Sequence, residues 1–296
     1  METGNEISKL VQDVGGLVTL PHVFVRINQL VEDPNSNIAD IAKAISQDPS
    51  FTVRLLRVAN SPFYGFQSSI DTVAKAVSVI GTSQIRSLAL SMSIAKSFEG
   101  LPNELVSMEN FWRHSLYCGM IARALAKRAR KYDPEAVFTA GLLHDIGELV
   151  IFNRMPEKAR EVLLLVLDSI DDLPVNEAER QVMSFDHGQV GMELARQWGL
   201  PPLLVECIGY HHVIGEAKHH PREVALIHLS NVFALMAELD TLDPADVSTV
   251  DPRAWEMCGV GADVDLIEEV VREVQDQIAE DEKLFIESRR EAAAAK

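Results

Sequence analysis

The chain has 296 residues, 47% apolar and 24% charged, which suits one or two soluble domains with a substantial core. A formal net charge of −17 argues against a general nucleic-acid binder, because a phosphate backbone is itself a polyanion. Three cysteines, Cys118, Cys207 and Cys258, with no CxxC spacing point to reduced thiols. The start METGNEISKL lacks the basic and apolar parts of a signal peptide, and no apolar run reaches the roughly 20 residues that span a bilayer. The expectation is a cytoplasmic protein without a membrane partner.

The chain reads as helix after helix, with no alternating Val/Ile/Thr run between hairpin turns. Residues 37–45 repeat apolar side chains at helical spacing behind a cap at Ser36 or Asn37. Asp48 and Pro49 then start a helix that runs to Asn60. Helices Ile70–Ile80 and Ser83–Phe98 follow, parted by Gly81-Thr82. A boundary falls near Gly100-Leu101-Pro102-Asn103. Beyond it the pattern predicts helices Phe111–Arg130, Pro134–Phe152, Glu157–Ile170, Asn176–Ser184, His187–Trp198, Pro202–His212 and Glu223–Leu239. A polar connection, Leu239–Asp251, leads to a long acidic helix, Val264–Glu291, whose apolar stripe is expected to pack back on the bundle. The terminal EAAAAK should fray.

The reading gives an all-α chain in three parts: residues 1–100, 101–240 and 241–296. The acidity is uneven. Residues 1–100 hold 8 Lys and Arg against 9 Asp and Glu, and the rest hold 19 against 35. Arg54, Arg57 and Arg86 therefore read as solvated helix faces rather than an anion patch.

Five histidines and one aspartate carry the chemistry: His114, His144-Asp145, His187 and His211-His212. Imidazoles and a carboxylate are the ligand set of Fe, Mn, Zn or Ni, and one Asp can bridge two ions. A single histidine on an apolar face is most often a packed or hydrogen-bonded core residue. Five such histidines and an aspartate, each beside an apolar helical run, are a stronger signal. Adjacent side chains on a helix diverge by about 100°, so His144-Asp145 inside one helix would serve two metals, or one metal approached from two directions, with Asp145 as the bridge. His228 is a candidate supporting or replacement ligand. Glu179 reads as a surface or capping carboxylate.

The ordered strings resemble the HDOD domain, the HD-related output domain of bacterial signalling proteins, within the HD superfamily of metal-dependent phosphohydrolases. They are Ile45-Ser46-Gln47-Asp48-Pro49, Leu55-Leu56-Arg57-Val58-Ala59-Asn60-Ser61, Phe111-Trp112-Arg113-His114-Ser115, Gly141-Leu142-Leu143-His144-Asp145-Ile146-Gly147, Asp186-His187 and Tyr210-His211-His212. The resemblance spans about residues 17 to 240. It implies a multi-helix HD-like bundle with a helical N-terminal subdomain, and one or two divalent transition-metal ions. His114, His144 and Asp145 would hold the first ion. Asp145 as bridge, with His187, His211 and His212, would hold the second, as in related cyclic-dinucleotide phosphodiesterases.

Three departures bear on activity. Asn231 stands where HD enzymes usually present an Asp ligand, and a neutral amide binds a cation less strongly. Glu148 stands where many active relatives have a Lys that partners phosphate. No Gly-Tyr-Pro element follows His211-His212. The resulting expectation is a regulatory protein that works through a signalling partner, with a retained metal site. The alternative is a phosphohydrolase acting on a cyclic dinucleotide or another nucleotide.

Overall fold

The computed structural model describes residues 2–15, 22–60, 64, 66, 69–97, 105–169, 173–239, 250–261 and 265–278. Among these, regular structure is helical and no strand occurs, as the apolar spacing predicted. The chain divides into two compact units. One comprises Met1–Thr19 with Phe98–Val271, the other Leu20–Ser97 with Arg272–Lys296. Helix α1 (Glu2–Gly15) belongs to the first.

The smaller unit holds α2 (His22–Glu32), α3 (Ile38–Ser46), α4 (Pro49–Ala59), α5 (Val73–Ile80) and α6 (Thr82–Ser97). Helix α3 buries Ile41, Ala42, Ala44 and Ile45, the face its spacing marks as apolar. Its cap is Asn37, which forms a full capping box with Asp40; the Ser36 hydroxyl instead donates to the Leu30 carbonyl. Asp48 caps α4 and Pro49 sits in its first turn, as predicted. Helix α5 starts three residues later than expected. The Asn60 amide holds Ile70 by accepting from its N–H at 2.7 Å and donating to its carbonyl at 2.8 Å. Those bonds withhold Ile70 from the helix, and Thr72 caps it instead. Ser61 and Pro62 lie outside the described residues.

The larger unit continues with α7 (Met108–Ala129), α8 (Pro134–Leu143), α9 (Ile146–Arg154), α10 (Pro156–Leu167), α11 (Val175–Met183), α12 (His187–Gln197), α13 (Pro202–Tyr210), α14 (Pro221–Leu239) and α15 (Pro252–Cys258). A last helix, α16, covers residues 265–278 and crosses the division at Val271. Helix α7 packs on α8 and α14, α12 packs on α9 and α13, and α1 lies against α9 and α12. Ile267, Val270 and Val271 of α16 are buried, and Arg128 of α7 pairs with Glu269 at 2.9 Å, so this part of the acidic helix packs back. Its expected continuation to Glu291, the EAAAAK tail and the boundary at residues 100–103 lie outside the described residues. Helices α1, α2 and α15 add to the sequence reading.

One predicted helix, Pro134–Phe152, is two. Helix α8 ends at Leu143, and α9 begins at Ile146 after Asp145 leaves helical geometry at φ −99°, ψ 12°. The break lets α8 pack on α7 and α13 while α9 packs on α12. Glycine makes both crossings possible. A Cβ on Gly141 would lie 2.8 Å from the Gly119 Cα, and one on Gly147 would overlap the His187 carbonyl.

Candidate metal centre

Six helix ends and faces deliver the seven residues singled out from the sequence. His114 comes from the middle of α7 and Asn231 from α14. His144 and Asp145 occupy the α8–α9 break, His187 opens α12, and His211-His212 follow α13. The pair His144-Asp145 therefore does not diverge on one helix, as the sequence suggested. It sits where the backbone turns, and the turn brings both side chains to one place.

Ligand atoms of Asp145, His187, His211 and His212 all lie within 4.8 Å of one another. Nε2 of His187 is 3.1 Å from Nε2 of His212 and 3.3 Å from Nε2 of His211. Oδ1 of Asp145 is 3.4 Å from His187 Nε2 and 3.3 Å from His211 Nε2. Metal–nitrogen bonds of about 2.0–2.1 Å give ligand–ligand edges of roughly 3.0 Å in an octahedron and roughly 3.4 Å in a tetrahedron. The spacings match those edges.

Asp145 turns its other oxygen to a further group with His114 and His144. Oδ2 lies 2.9 Å from His144 Nε2 and 3.7 Å from His114 Nε2. Asn231 Oδ1 is 2.9 Å from His114 Nε2. His144 is fully buried, and its Nε2 has no aligned hydrogen-bond partner. A ring nitrogen buried there with only a poorly aligned carboxylate contact is costly, and a cation would satisfy it. The residues thus fit one or two divalent ions, with Asp145 shared; nothing in the geometry selects Fe, Mn, Zn or Ni.

The rings are held from behind. His144 Nδ1 faces the Gly141 carbonyl at 2.7 Å, and His211 Nδ1 faces that of Ile208 at 2.9 Å. Each Nδ1–H donates there, so that a neutral ring turns its Nε2 lone pair toward the cluster. Glu179 accepts twice from His187, from Nδ1–H at 2.7 Å and from the backbone N–H at 2.8 Å. It is buried, so the surface reading of Glu179 is corrected: it orients His187 and caps α12 in the same contact. Glu238 takes His114 Nδ1 at 2.9 Å and lies 3.7 Å from Arg113, which is therefore turned toward the site's rim rather than away from it. Neither carboxylate partner was legible as such. Glu179 precedes His187 by two turns of sequence, and Glu238 is two turns beyond Asn231, but no local pattern tells which histidine each meets.

His228 is no ligand. Its Nδ1–H donates to the His211 carbonyl at 2.7 Å, and its Nε2 accepts the Asp251 N–H at 3.0 Å. It ties the His211 turn to the start of α15.

The electrostatics show where positive charge is favoured. Burial opposes protonation of His187, but Glu179 and Asp145 override it and raise the ring well above its usual range. Burial likewise opposes charge on His144, and the Asp145 carboxylate outweighs it. Despite burial, His144 and its neighbours hold Asp145 well below the usual carboxylate range. Burial pushes His211 down to about 4 and also lowers His212, so these rings stay neutral. Burial, then the Asp145 charge, pushes Glu148 up to about 7.

A family model for the HDOD domain matches residues 17–214. This chain belongs to the HDOD family. Its fold matches an HDOD domain protein of unknown function from Geobacter sulfurreducens, at TM-score 0.77 and 25% identity, over 93% of this chain and 98% of the other. A candidate phosphohydrolase from Shewanella amazonensis SB2B matches at TM-score 0.75 and 25% identity, over 93% and 97%. An uncharacterized protein of Treponema pallidum (strain Nichols) is 24% identical over 236 residues, 79% of this chain and 44% of its own length. The chain thus spans under half of that relative. Among the described residues, no helix of this HDOD chain is long and apolar enough to cross a membrane.

Proposed function

We propose that this HDOD chain is a metal-binding regulatory module of the bacterial cytoplasm that acts on a signalling protein by contact rather than by hydrolysis. The observation that carries the metal reading is the shared Asp145, with Nε2 atoms converging on both of its oxygens at ligand-edge distances. A bound divalent ion would supply positive charge beside the Asp145 carboxylate, which raises the pKa of His144 and, together with Glu179, of His187. The chain's own residues do the rest. Glu179, Gly141 and Ile208 fix ring tautomers, and Gly147 lets α9 approach α12.

Against hydrolysis stands the charge around the cluster. The groups acting most strongly on Asp145 and Glu148 are histidines and other carboxylates, and Arg113 is engaged by Glu238. Phosphoryl transfer needs cationic partners for the charge on phosphorus-bound oxygens, and Glu148 supplies none. A nucleotide or cyclic-dinucleotide phosphohydrolase is the second reading. It is favoured by the half-buried edge formed by His114, Glu148, His212 and Asn231, and by the likeness to the Shewanella protein.

Elemental analysis of protein purified without chelator, beside Asp145→Ala, tests the proposal. Near-stoichiometric metal lost in the variant, with no turnover of cyclic dinucleotides or nucleotides, supports it. Turnover that vanishes in both Asp145→Ala and His144→Ala would replace it with the hydrolase. Metal in neither protein removes the metal site.

A further inference from the structure

We infer that the two ligand groups are unequal: His187, His211, His212 and Asp145 take the first ion tightly, whereas the His114, His144 and Asn231 side is a weaker, exchangeable position. Glu179 is the positioning residue that sets the difference. This rests on the metal reading above and deepens it.

The tight group is arranged before any ion arrives. His187 Nε2 lies 3.1 Å from that of His212 and 3.3 Å from that of His211, and Asp145 Oδ1 lies 3.4 Å from His187 Nε2 and 3.3 Å from His211 Nε2. Glu179 holds His187 through two bonds, so the ring has no freedom left to lose on binding. The side chains of His187 and His211 are only 2% and 1% exposed. On the other side, both nitrogens of His114 are already engaged by oxygens, Glu238 and Asn231, each at 2.9 Å. An ion there must first close the 3.7 Å gap between His114 and Asp145. The His114 side chain is 21% exposed, so water competes.

Charge points the same way. Carboxylate oxygens of Glu148 and Glu179 and a ring nitrogen of His187 lie within 4.8 Å of one another, and the Glu179 carboxylate adds negative field beside the tight group. Glu238, the corresponding carboxylate on the weak side, is partly offset by Arg113 at 3.7 Å. Asn231 contributes an oxygen without charge. A weakly held ion at a half-open edge exchanges with free metal, so its occupancy follows metal supply while the first ion stays in place.

The test is calorimetric titration of the full chain, stripped with chelator, by Mn2+ and by Zn2+. Expected are two steps whose Kd values differ by more than tenfold. His187→Ala abolishes the tight step, and Glu179→Gln weakens it about 10- to 100-fold while leaving the weak step unchanged. His114→Ala removes only the weak step, and Asn231→Asp tightens only that step. A single step that survives His114→Ala and is lost in His187→Ala also supports the inference. Two equal steps, loss of the tight ion in His114→Ala, or an unaltered tight step in Glu179→Gln overturns it. His114 and Asn231 lie at the half-buried edge, so their variants keep the test decisive if His187→Ala fails to fold. No uptake by the unmodified chain overturns the metal reading itself.

Discussion

Gly147→Ala should damage stability and metal affinity together. The added methyl would overlap the His187 carbonyl and stand 2.7 Å from the Gly191 nitrogen. Both obstacles are backbone, so neither can rotate away. Reaching an ordinary contact of about 3.4 Å requires α9 and α12 to separate by roughly 0.7 Å or more at Gly191. Overpacking typically costs about 1–3 kcal/mol, and a backbone clash belongs at the upper end. At about 2–4 °C per kcal/mol, the midpoint of thermal unfolding should fall by roughly 6 °C or more. The same displacement pulls Asp145, just before α9, from His187, the first residue of α12, widening their 3.4 Å contact. Scanning calorimetry with and without added metal measures both effects. Gly4→Ala in α1 is the control: its Cβ would meet nothing within 4 Å, and it should stabilise by about 0.5–1 kcal/mol. A Gly147→Ala stability within about 0.5 kcal/mol of the parent, with unchanged metal response, would refute the tight crossing.

Glu206→Ala should cost about 1–2 kcal/mol, because Glu206 accepts the N–H groups of Lys218, His219 and His220 just before α14. Burial opposes its charge, but those three donors win and lower its pKa. The stabilisation is therefore present above the ordinary glutamate value of 4.5 and lost as pH falls through the lower folded value; urea melts at pH 7 and pH 3 should show the difference shrinking. His228→Leu leaves the His211 carbonyl and the Asp251 N–H without their partner, and should cost about 2 kcal/mol at pH 8. Burial lowers the His228 pKa below 6.5, so its contribution is full above 6.5 and declines as pH falls through the folded value. A gap between parent and variant that grows on acidification would contradict that sign. Leu167→Lys on α10, at a side chain 79% exposed, should shift stability by no more than about 0.5 kcal/mol by the same urea assay.

Much of this chain is written locally. Helical spacing located α3, α7 and α12, and caps at Asn37, Asp48 and Asp186 stand where short polar side chains precede apolar runs. Such features depend on hydrogen bonds three or four residues apart, so a sequence window contains all that decides them. The candidate cluster stood out for another reason: imidazoles beside apolar runs are rare enough to be noticed together. The rest needed tertiary structure. The continuous apolar pattern of residues 134–152 contains no signal for the stop at His144-Asp145, because the stop serves packing of α8 and α9 on different helices. Glu179 looks like any helix carboxylate until α11 and α12 place it behind His187. His114 meets Asn231 across 117 residues, and only the crossings of α7 with α14, and of α9 with α12, put their side chains and Asp145 in one place. Side-chain chemistry is local to the sequence; the distances that turn it into a site are set by how closely helices cross, which at Gly119, Gly141 and Gly147 depends on a missing Cβ.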